Sequence, residues 1–490
     1  MKVLMVNHFP LEGSGSGTYT KSIAAHLTKQ GHEVCAVFPE NSPSADIPGV
    51  RLIPVMFSAK GAKRRTKKEH LPFNFPCFTT HPRSTTTFAD LSSEEFAQYL
   101  AAFDAAIQKA VMEFQPDIIH AQHIWCLSWL AVKHHIPTVV TTHGTDLMGC
   151  VKWPGFRGFA EETVKHCTKI IAISSSNRDA VLENFPEACA KISLLPNGYN
   201  EDVFYPEDVD RTSLLTQMNI PYNGEKIVLF AGKLTTFKGV ENLLSAARYY
   251  EEQESPRILT LIAGDGQERE ELMDLSQMLG LKSTYFLGHK TQEELRRLYC
   301  AADVFVIPSR KEPFGLVALE AMACDTPVVA TNAGGLPEFV NNRVGTLVAI
   351  DDEEELYAAI LDELMRNEQE PERRKTIADY ARNGYTQQHT CKICFGFMVP
   401  CSFTAMRGRG KAAMRKTMII PTYWCRSSGK CWQEGDAVYD HPTPVDQEGT
   451  LERTLVSMQQ FQEKDFKLVI LICPTTPDVE DAAYEQVYRI

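Results

Sequence analysis

Nowhere does this 490-residue chain hold an apolar run long enough to cross a membrane, which takes about twenty such residues. The opening MKVLMVNHFP begins apolar, but Asn7 and His8 interrupt it too early for the apolar region of a signal peptide. It is therefore expected to form a first buried strand of a cytoplasmic protein. Cysteines number 14, yet paired spacing is missing from the first 390 residues. Through position 390 they stand singly in apparent strands and helices, as reduced buried thiols do, rather than in a disulfide framework. Basic excess is also missing. The net charge of -12 argues against a nucleic-acid partner, because phosphate neutralisation needs a positive surface. One local exception is the cluster Lys60, Lys63, Arg64, Arg65, Lys67 and Lys68, followed by the aromatic-rich LPFNFPCFTTHP. It reads either as a solvated loop or as a contact for an anionic acceptor or the inner membrane surface. Finally, GSGSGTYT lacks the full dinucleotide fingerprint, so an NAD site is not expected.

What is present is alternation. VLMV, EVCAVF, DIIHA, TVVTT and KIIAIS are strand-like runs separated by helical patterns, one of them from Tyr19 to Lys29, and a second series runs through KIVLFAG, ILTLIAG, STYFLG, DVFVIPS and TPVVAT. With 44% hydrophobic residues the chain can bury more than one core. The expected fold class is α/β, with two Rossmann-like doubly wound domains, 1–200 and 201–388, joined through the Pro- and Gly-containing stretch from Pro196 to Pro221. Ligands of such sheets sit beyond the carboxyl ends of the strands, so two facing units make one deep cleft.

Within the second series, Glu312 and Glu320 flank Pro313, Phe314 and Gly315, with an apolar helix expected from Leu316. A loop carboxylate and a helix carboxylate facing one crevice suit vicinal hydroxyls, whereas a phosphate prefers N–H groups and cations. The alternative is a helix-start glutamate supporting the dipole and a second one on a solvated face. Lys233 and Lys238, beside Gly232 and Gly239, are candidate cations for a departing diphosphate, or surface lysines. Gly13, Gly15 and Gly17, expected before a helix starting near Thr18, either aim backbone N–H groups at a phosphate or make a plain tight turn. His143, after the strand-like TVVTT, and His120 and His123, in IIHAQH, are either cleft residues or structural hydrogen-bonding residues.

Taken in order, GSGSGTYT, HGTD (143–146), LPNGYNEDVF (195–204), FAGKLTTFKG (230–239), IAGDG (262–266), the two glutamates and NAGGLPEFV resemble the retaining glycosyltransferases of family 4, over about residues 1–385. That resemblance implies the GT-B arrangement of the two domains and transfer of a hexosyl group from a UDP- or GDP-sugar to a hydroxyl acceptor, without a cofactor or metal. The acceptor is expected to be a glycan, a glycolipid precursor or a small polyol, and anionic or lipid-linked molecules are included. It implies donor contacts from Gly15, Gly17, Gly232, Lys233, Lys238, Glu312, Phe314, Gly315, Leu316, Val317 and Glu320, with Glu320 on the ribose. His143, Lys238 and Glu312 would be catalytic. Two departures stand out: Lys233 occupies a position where the family usually has arginine, which loses the planar fork, and Asp325 replaces a common glycine, with modest strain expected. A sugar-nucleotide-binding protein without turnover, or another GT-B enzyme such as a nucleotide-sugar epimerase, are the alternatives.

From about 388 the character changes. QQHTCKICFGFMVPCSFTAMRGRGKAAMRK shows no clear apolar period, and 389–416 is expected to be an irregular linker in place of the family's amphipathic closing helix. Cys391, Cys394 and Cys401 include a C-x-x-C pair, read as structural rather than zinc-binding. From Thr417, MIIPTYW, DHPTPVDQEGTLERTLVSM and DFKLVILICPT resemble the opening of a family 2 glycosyltransferase of the GT-A fold. The chain reaches Ile490 before any Asp-x-Asp motif, so this incomplete α/β fragment is not expected to catalyse transfer.

Overall fold

A computed structural model describes residues 1–43, 46–58, 70–78, 81–252, 257–406, 416–425, 442–444 and 466–474. The basic cluster Lys60–Lys68 lies outside the described residues. Residues 1–402 form one compact unit and 403–490 another.

The first unit contains two parallel sheets. In the first, β1 (Lys2–Val6), β2 (Glu33–Glu40), β3 (Val50–Met56), β4 (Ile118–Gln122), β5 (Thr138–Thr142), β6 (Lys169–Ala172) and β7 (Ile192–Leu194) take the order β3-β2-β1-β4-β5-β6-β7. In the second, β8 (Lys226–Ala231), β9 (Ile258–Ala263), β10 (Thr284–Gly288), β11 (Val304–Ile307), β12 (Val328–Thr331) and β13 (Gly345–Val348) take the order β10-β9-β8-β11-β12-β13. Each order reverses once, between β1 and β4 and between β8 and β11. These are the switch points where such sheets bind ligands.

The near-continuous apolar runs are explained by helices on both faces, which leave no solvated side for polar residues. Alternation then sorts residues between two cores. Leu4 and Val6 pack on one face of the first sheet and Val3 and Met5 on the other; Ile227 and Leu229 oppose Val228 and Phe230 in the second. The first long helix is Gly15–Lys29, not Tyr19–Lys29, because Ser14 caps it by accepting from the Gly17 N–H at 3.0 Å and draws two glycines into its first turn.

The largest departure from expectation lies after 386. Residues 387–406, expected to be mostly irregular linker, form one helix, Gln387–Met406. Its start is tied to the LPNGYNEDVF segment. The Glu201 carboxylate accepts from the N–H groups of Gln387 and Gln388 at 2.9 and 3.0 Å, and Gln387 N–H also donates to Tyr199 O at 2.8 Å. A carboxylate there satisfies otherwise orphaned donors and complements the helix dipole. Cys391, Cys394 and Met398 are buried in the first domain's core beside Tyr19, Ile23 and Leu27. The helix thus does what the missing closing helix was expected to do. Its C-x-x-C pair faces that core, with Tyr19 O–H donating to Cys394 Sγ at 3.7 Å.

In the second unit, three strands, Lys416–Cys425, Pro442–Pro444 and Phe466–Pro474, pair in parallel with the first of them central. Among the described residues no helix is long and apolar enough to cross a membrane.

Candidate active site

The motif loops leave the carboxyl ends of parallel strands of the two sheets. From the first sheet, His143 follows β5 and its ring is fixed on three sides. Its Nε2 is 3.0 Å from Gln122 Oε1, the edge of Tyr19 stands 5.5 Å away, and His123 is 4.9 Å away. Burial holds His143 and His120 neutral, down to about 3, and pushes His123 well below the usual imidazole range. His120 is tied to Thr141 Oγ1 at 2.8 Å and His123 to Ser16 Oγ at 3.1 Å. Asp146, which was not singled out from the sequence beyond its HGTD motif, organises this wall. Its carboxylate accepts from the N–H groups of Ile124 at 2.8 Å and His143 at 3.2 Å, while burial raises its pKa to about 6. Asn7 Oδ1 and Nδ2, Gln122 Nε2 and His123 Nδ1 are buried with no hydrogen-bond partner. Orphaned polar atoms are uncommon in folded interiors.

The second sheet's wall is charged. Lys238 Nζ lies 2.5 Å from Glu312 Oε2, and Ser309 Oγ donates to the same oxygen at 3.5 Å. Gly239, which places this lysine, has φ +60, and a Cβ there would meet Pro308 O at 2.1 Å. Gly334 packs on Glu312 in the same way, since its Cβ would fall 1.7 Å from Glu312 O. Arg310, also not singled out from the sequence, joins Glu241, Asp351 at 2.7 Å and Thr236 O at 2.9 Å, fastening the TTFKG turn to the glutamate loop. Leu316 and Val317 occupy the first two positions of the helix Leu316–Ala323, capped by Gly315, where N–H groups lack intrahelical acceptors.

Several expected donor contacts sit otherwise. Phe314 is buried against Phe339, ring centres 5.2 Å apart, because the loop turns its aromatic side chain inward. Gly232 N–H is committed to Ala263 O at 3.0 Å and Gly17 N–H to its Ser14 cap, so neither is spare for a phosphate. Lys233 does not share Lys238's carboxylate. Its charge acts on Cys77 and His81 of the first domain, and burial lowers its pKa. Glu320 is buried with Tyr299 O–H donating to its Oε2 at 3.3 Å, and burial raises its pKa to about 8. Asp325 has φ +67, the left-handed conformation expected where glycine is usual.

The two walls meet. Ser174 Oγ donates to Pro313 O at 2.8 Å, Ser175 N–H to Glu338 Oε1 at 2.5 Å, and Gly144 lies against the Pro313 ring. A cavity of about 530 Å³ opens between them, lined by Gly144, Met148, Lys152 and Asn177 on one side and Arg310, Glu312 and Gly334 on the other. Glu312 lines it and Glu320 does not.

Residues 13–203 match the model of Glycosyltransferase Family 4 and residues 216–384 that of Glycosyl transferases group 1. An uncharacterized glycosyltransferase of Methanocaldococcus jannaschii is 30% identical over 367 residues, covering 70% of this chain and 84% of that protein. The chain belongs to the retaining glycosyltransferases of family 4. This glycosyltransferase is also 28% identical, over 74% of its length and 77% of the relative's, to a D-inositol 3-phosphate glycosyltransferase of Mycobacterium marinum. Its GT-B fold is that of a sucrose-phosphate synthase from Thermosynechococcus elongatus, with a TM-score of 0.62 at 22% identity, covering 83% of this chain and 100% of the other. As a family 4 enzyme it moves a sugar from a nucleotide-sugar donor to an acceptor.

Proposed function

We propose that the chain transfers a hexosyl group, with retention, from a UDP- or GDP-sugar to a hydroxyl of a glycan, a glycolipid precursor or a small polyol. The observation that carries this reading is Glu312, paired with Lys238, at one side of the interdomain cavity, with Gly144, which follows His143 in the chain, at the other. On departure of the nucleotide, charge grows on the diphosphate, and Lys238 is the cation placed to stabilise it, helped by the N–H groups of Leu316 and Val317. Glu312, relieved of that lysine, accepts hydroxyl hydrogens of the donor sugar. Glu320 accepts from the ribose in place of Tyr299. His143, neutral and held by Gln122, orients the acceptor side by accepting a hydrogen bond from its hydroxyl, which places no charge in the buried wall.

Two carboxylates on one wall cannot act as the opposed acid and nucleophile of a glycosidase. Same-face attack, with the leaving phosphate taking the acceptor's proton, fits the arrangement. The relative that acts on D-inositol 3-phosphate supports a polyol acceptor. The family 2-like reading of residues 417–490 is not supported, since the family matches cover 13–203 and 216–384, and it has no part in this chemistry.

The test is calorimetry of UDP- and GDP-sugars with the intact chain, Glu320→Ala and Lys238→Ala, followed by nucleotide release with an acceptor panel. Selective binding weakened by both substitutions, then acceptor-dependent release with retained configuration, is the expected result. Donor binding with no release for any acceptor would overturn it in favour of a binding protein without turnover.

A further inference from the structure

Part of the interdomain cavity's lining is already satisfied: Glu312 is paired with Lys238, and Arg310 with Glu241 and Asp351. The rest is not. Met148, Val151 and Lys152 share one face of the helix Thr145–Lys152, three and four positions apart, and Ala180 of the helix Ser175–Asn184 lines the same space. Val151 is 62% exposed, so its apolar surface is turned to an occupant of the cavity rather than to the core.

Three polar groups stand around this apolar strip. Lys152 and Lys311 make no ion pair among the described residues; their ammonium groups lie 5.4 Å from the ring centres of Trp153 and Phe237, contacts that leave the charge uncompensated. Asn177 is only 5% exposed. Its Oδ1 accepts from Ile173 N–H at 3.3 Å and from Thr142 O–H, which fixes the amide's orientation, and its Nδ2 is buried with no hydrogen-bond partner. That nitrogen stands beside Gly144, where a Cβ would lie 3.9 Å from it. A buried N–H donor left without an acceptor is costly, and an occupant carrying oxygens removes the cost.

We infer that the cavity binds an acceptor built as a phosphate ester of an apolar alcohol, its phosphate taken by Lys152, Lys311 and Asn177 Nδ2 and its apolar group by Met148, Val151 and Ala180. A phosphate fits this set better than a carboxylate, because it brings more oxygens and up to two negative charges to two lysines and an N–H donor. The volume of about 530 Å³ lies within the range of small-molecule sites. Glu312 lines the same cavity, so a hydroxyl on such a molecule comes beside the carboxylate proposed to hold the donor sugar. That the occupant is the acceptor rests on the transfer reading; that the site takes this chemistry does not.

The experiment is calorimetry of the full chain with n-octyl phosphate, inorganic phosphate and octyl glucoside, kept below micelle-forming concentrations. The octyl phosphate should bind about tenfold more tightly than either of the others. Val151→Asp should bring it to the level of inorganic phosphate, and the paired change Lys152→Ala with Lys311→Ala to the level of octyl glucoside; all three positions are exposed, so no core is disturbed. Asn177→Asp keeps both accepted hydrogen bonds, puts an oxygen where the donor was, and should weaken octyl phosphate about tenfold. Equal affinity for the two phosphates would overturn the apolar half of the site, and equal affinity for the two octyl compounds, or indifference to the lysine changes, the anionic half. Sedimentation with phosphatidic acid vesicles, lost in the lysine variant, would assign the phosphate to a lipid headgroup; octyl phosphate binding without sedimentation would assign it to a soluble ester. Octyl phosphate should also inhibit nucleotide release competitively with the acceptor. Binding with inhibition of another kind would overturn the acceptor assignment, whereas binding to a chain that releases nucleotide with no acceptor leaves the site standing and fells the transfer reading.

Discussion

On the first domain's side of the cleft burial keeps the imidazoles neutral, holding His143 and His120 down to about 3, and Asp146, raised to about 6 by burial, spends its carboxylate on backbone N–H groups. On the second domain's side charges are retained and paired, Lys238 with Glu312 and Arg310 with Glu241 and Asp351. The difference follows from what each wall offers as solvent. Around His143 stand aromatic rings and buried amides that cannot stabilise an ion, whereas the loops after β8 and β11 supply a counter-charge for each charge. A neutral wall suits a hydroxyl, and a charged wall suits a phosphate whose charge changes during reaction.

The comparison is broken hardest at Lys238. Lys238→Ala removes the cation and leaves the Glu312 carboxylate half-enclosed without it; kcat for nucleotide release should fall about 10³-fold, at the upper end of what one electrostatic contact contributes. A loss under tenfold in steady-state assays would mean that the charged wall does not face the departing phosphate. His143→Ala should cost about 10²-fold in kcat, and the wild-type pH–rate profile should show no limb at the ordinary imidazole value of about 6.5. A limb there that vanishes in His143→Gln would contradict the neutral wall.

Acid should separate the walls by stability. His8, His120 and His143 stay neutral in the fold to about 3 and His81 to about 4, while in the unfolded chain they bind protons below about 6.5. Stability is therefore fully present above that value and is lost as pH falls toward 3 to 4. Asp146, raised to about 6, and Glu320, raised to about 8, have the opposite sign, contributing at low pH and fading as pH rises through those values. The histidines outnumber them, so urea midpoints at about pH 4.5 should lie well below those at about pH 7, by the equivalent of a few kcal/mol. Equal midpoints would refute the predicted burial of neutral imidazoles.

Smaller effects sharpen the meeting of the walls. Gly144 has φ +84, and a Cβ there would stand 3.0 Å from Pro313. Gly144→Ala should destabilise by about 1–3 kcal/mol and lower kcat/KM about tenfold by propping the cleft open, readable by thermal melting and kinetics. Tyr19→Phe keeps the ring against His143 and removes only the long contact to Cys394, so a loss near 0.5 kcal/mol is expected. A large kcat defect in that variant would show that the hydroxyl, rather than the ring, positions His143.

Much of the fold was legible because parallel strands buried on both faces leave unbroken apolar runs such as KIVLF and TLIA. Gly232 and Gly239 marked Lys233 and Lys238 as candidates, but only the family resemblance grouped Lys238 with Glu312, 74 positions away. The helix from Gln387 was not legible, because Cys, Ile, Phe and Met surround it without a polar face and Pro400 interrupts the pattern. Its starting signal, Glu201, lies 186 positions away. Phe314 was misplaced because motif position alone does not say which way a side chain turns. Asp146 escaped notice as a keystone because its partners are backbone N–H groups, which no side-chain spacing reveals.

The closing helix also sets an order of assembly. Tyr19 and Cys394 touch although they are 375 positions apart, and the core containing Val3, Ile23 and Leu27 is completed by Cys391, Cys394 and Met398. During synthesis the first domain can form its sheet while the ribosome is still translating the second, but one flank of that sheet stays open until the end of the catalytic region emerges. At about 5–20 residues per second, that exposed flank persists for on the order of ten seconds or more, an interval in which a newly made chain is exposed to chaperones, proteases and its neighbours.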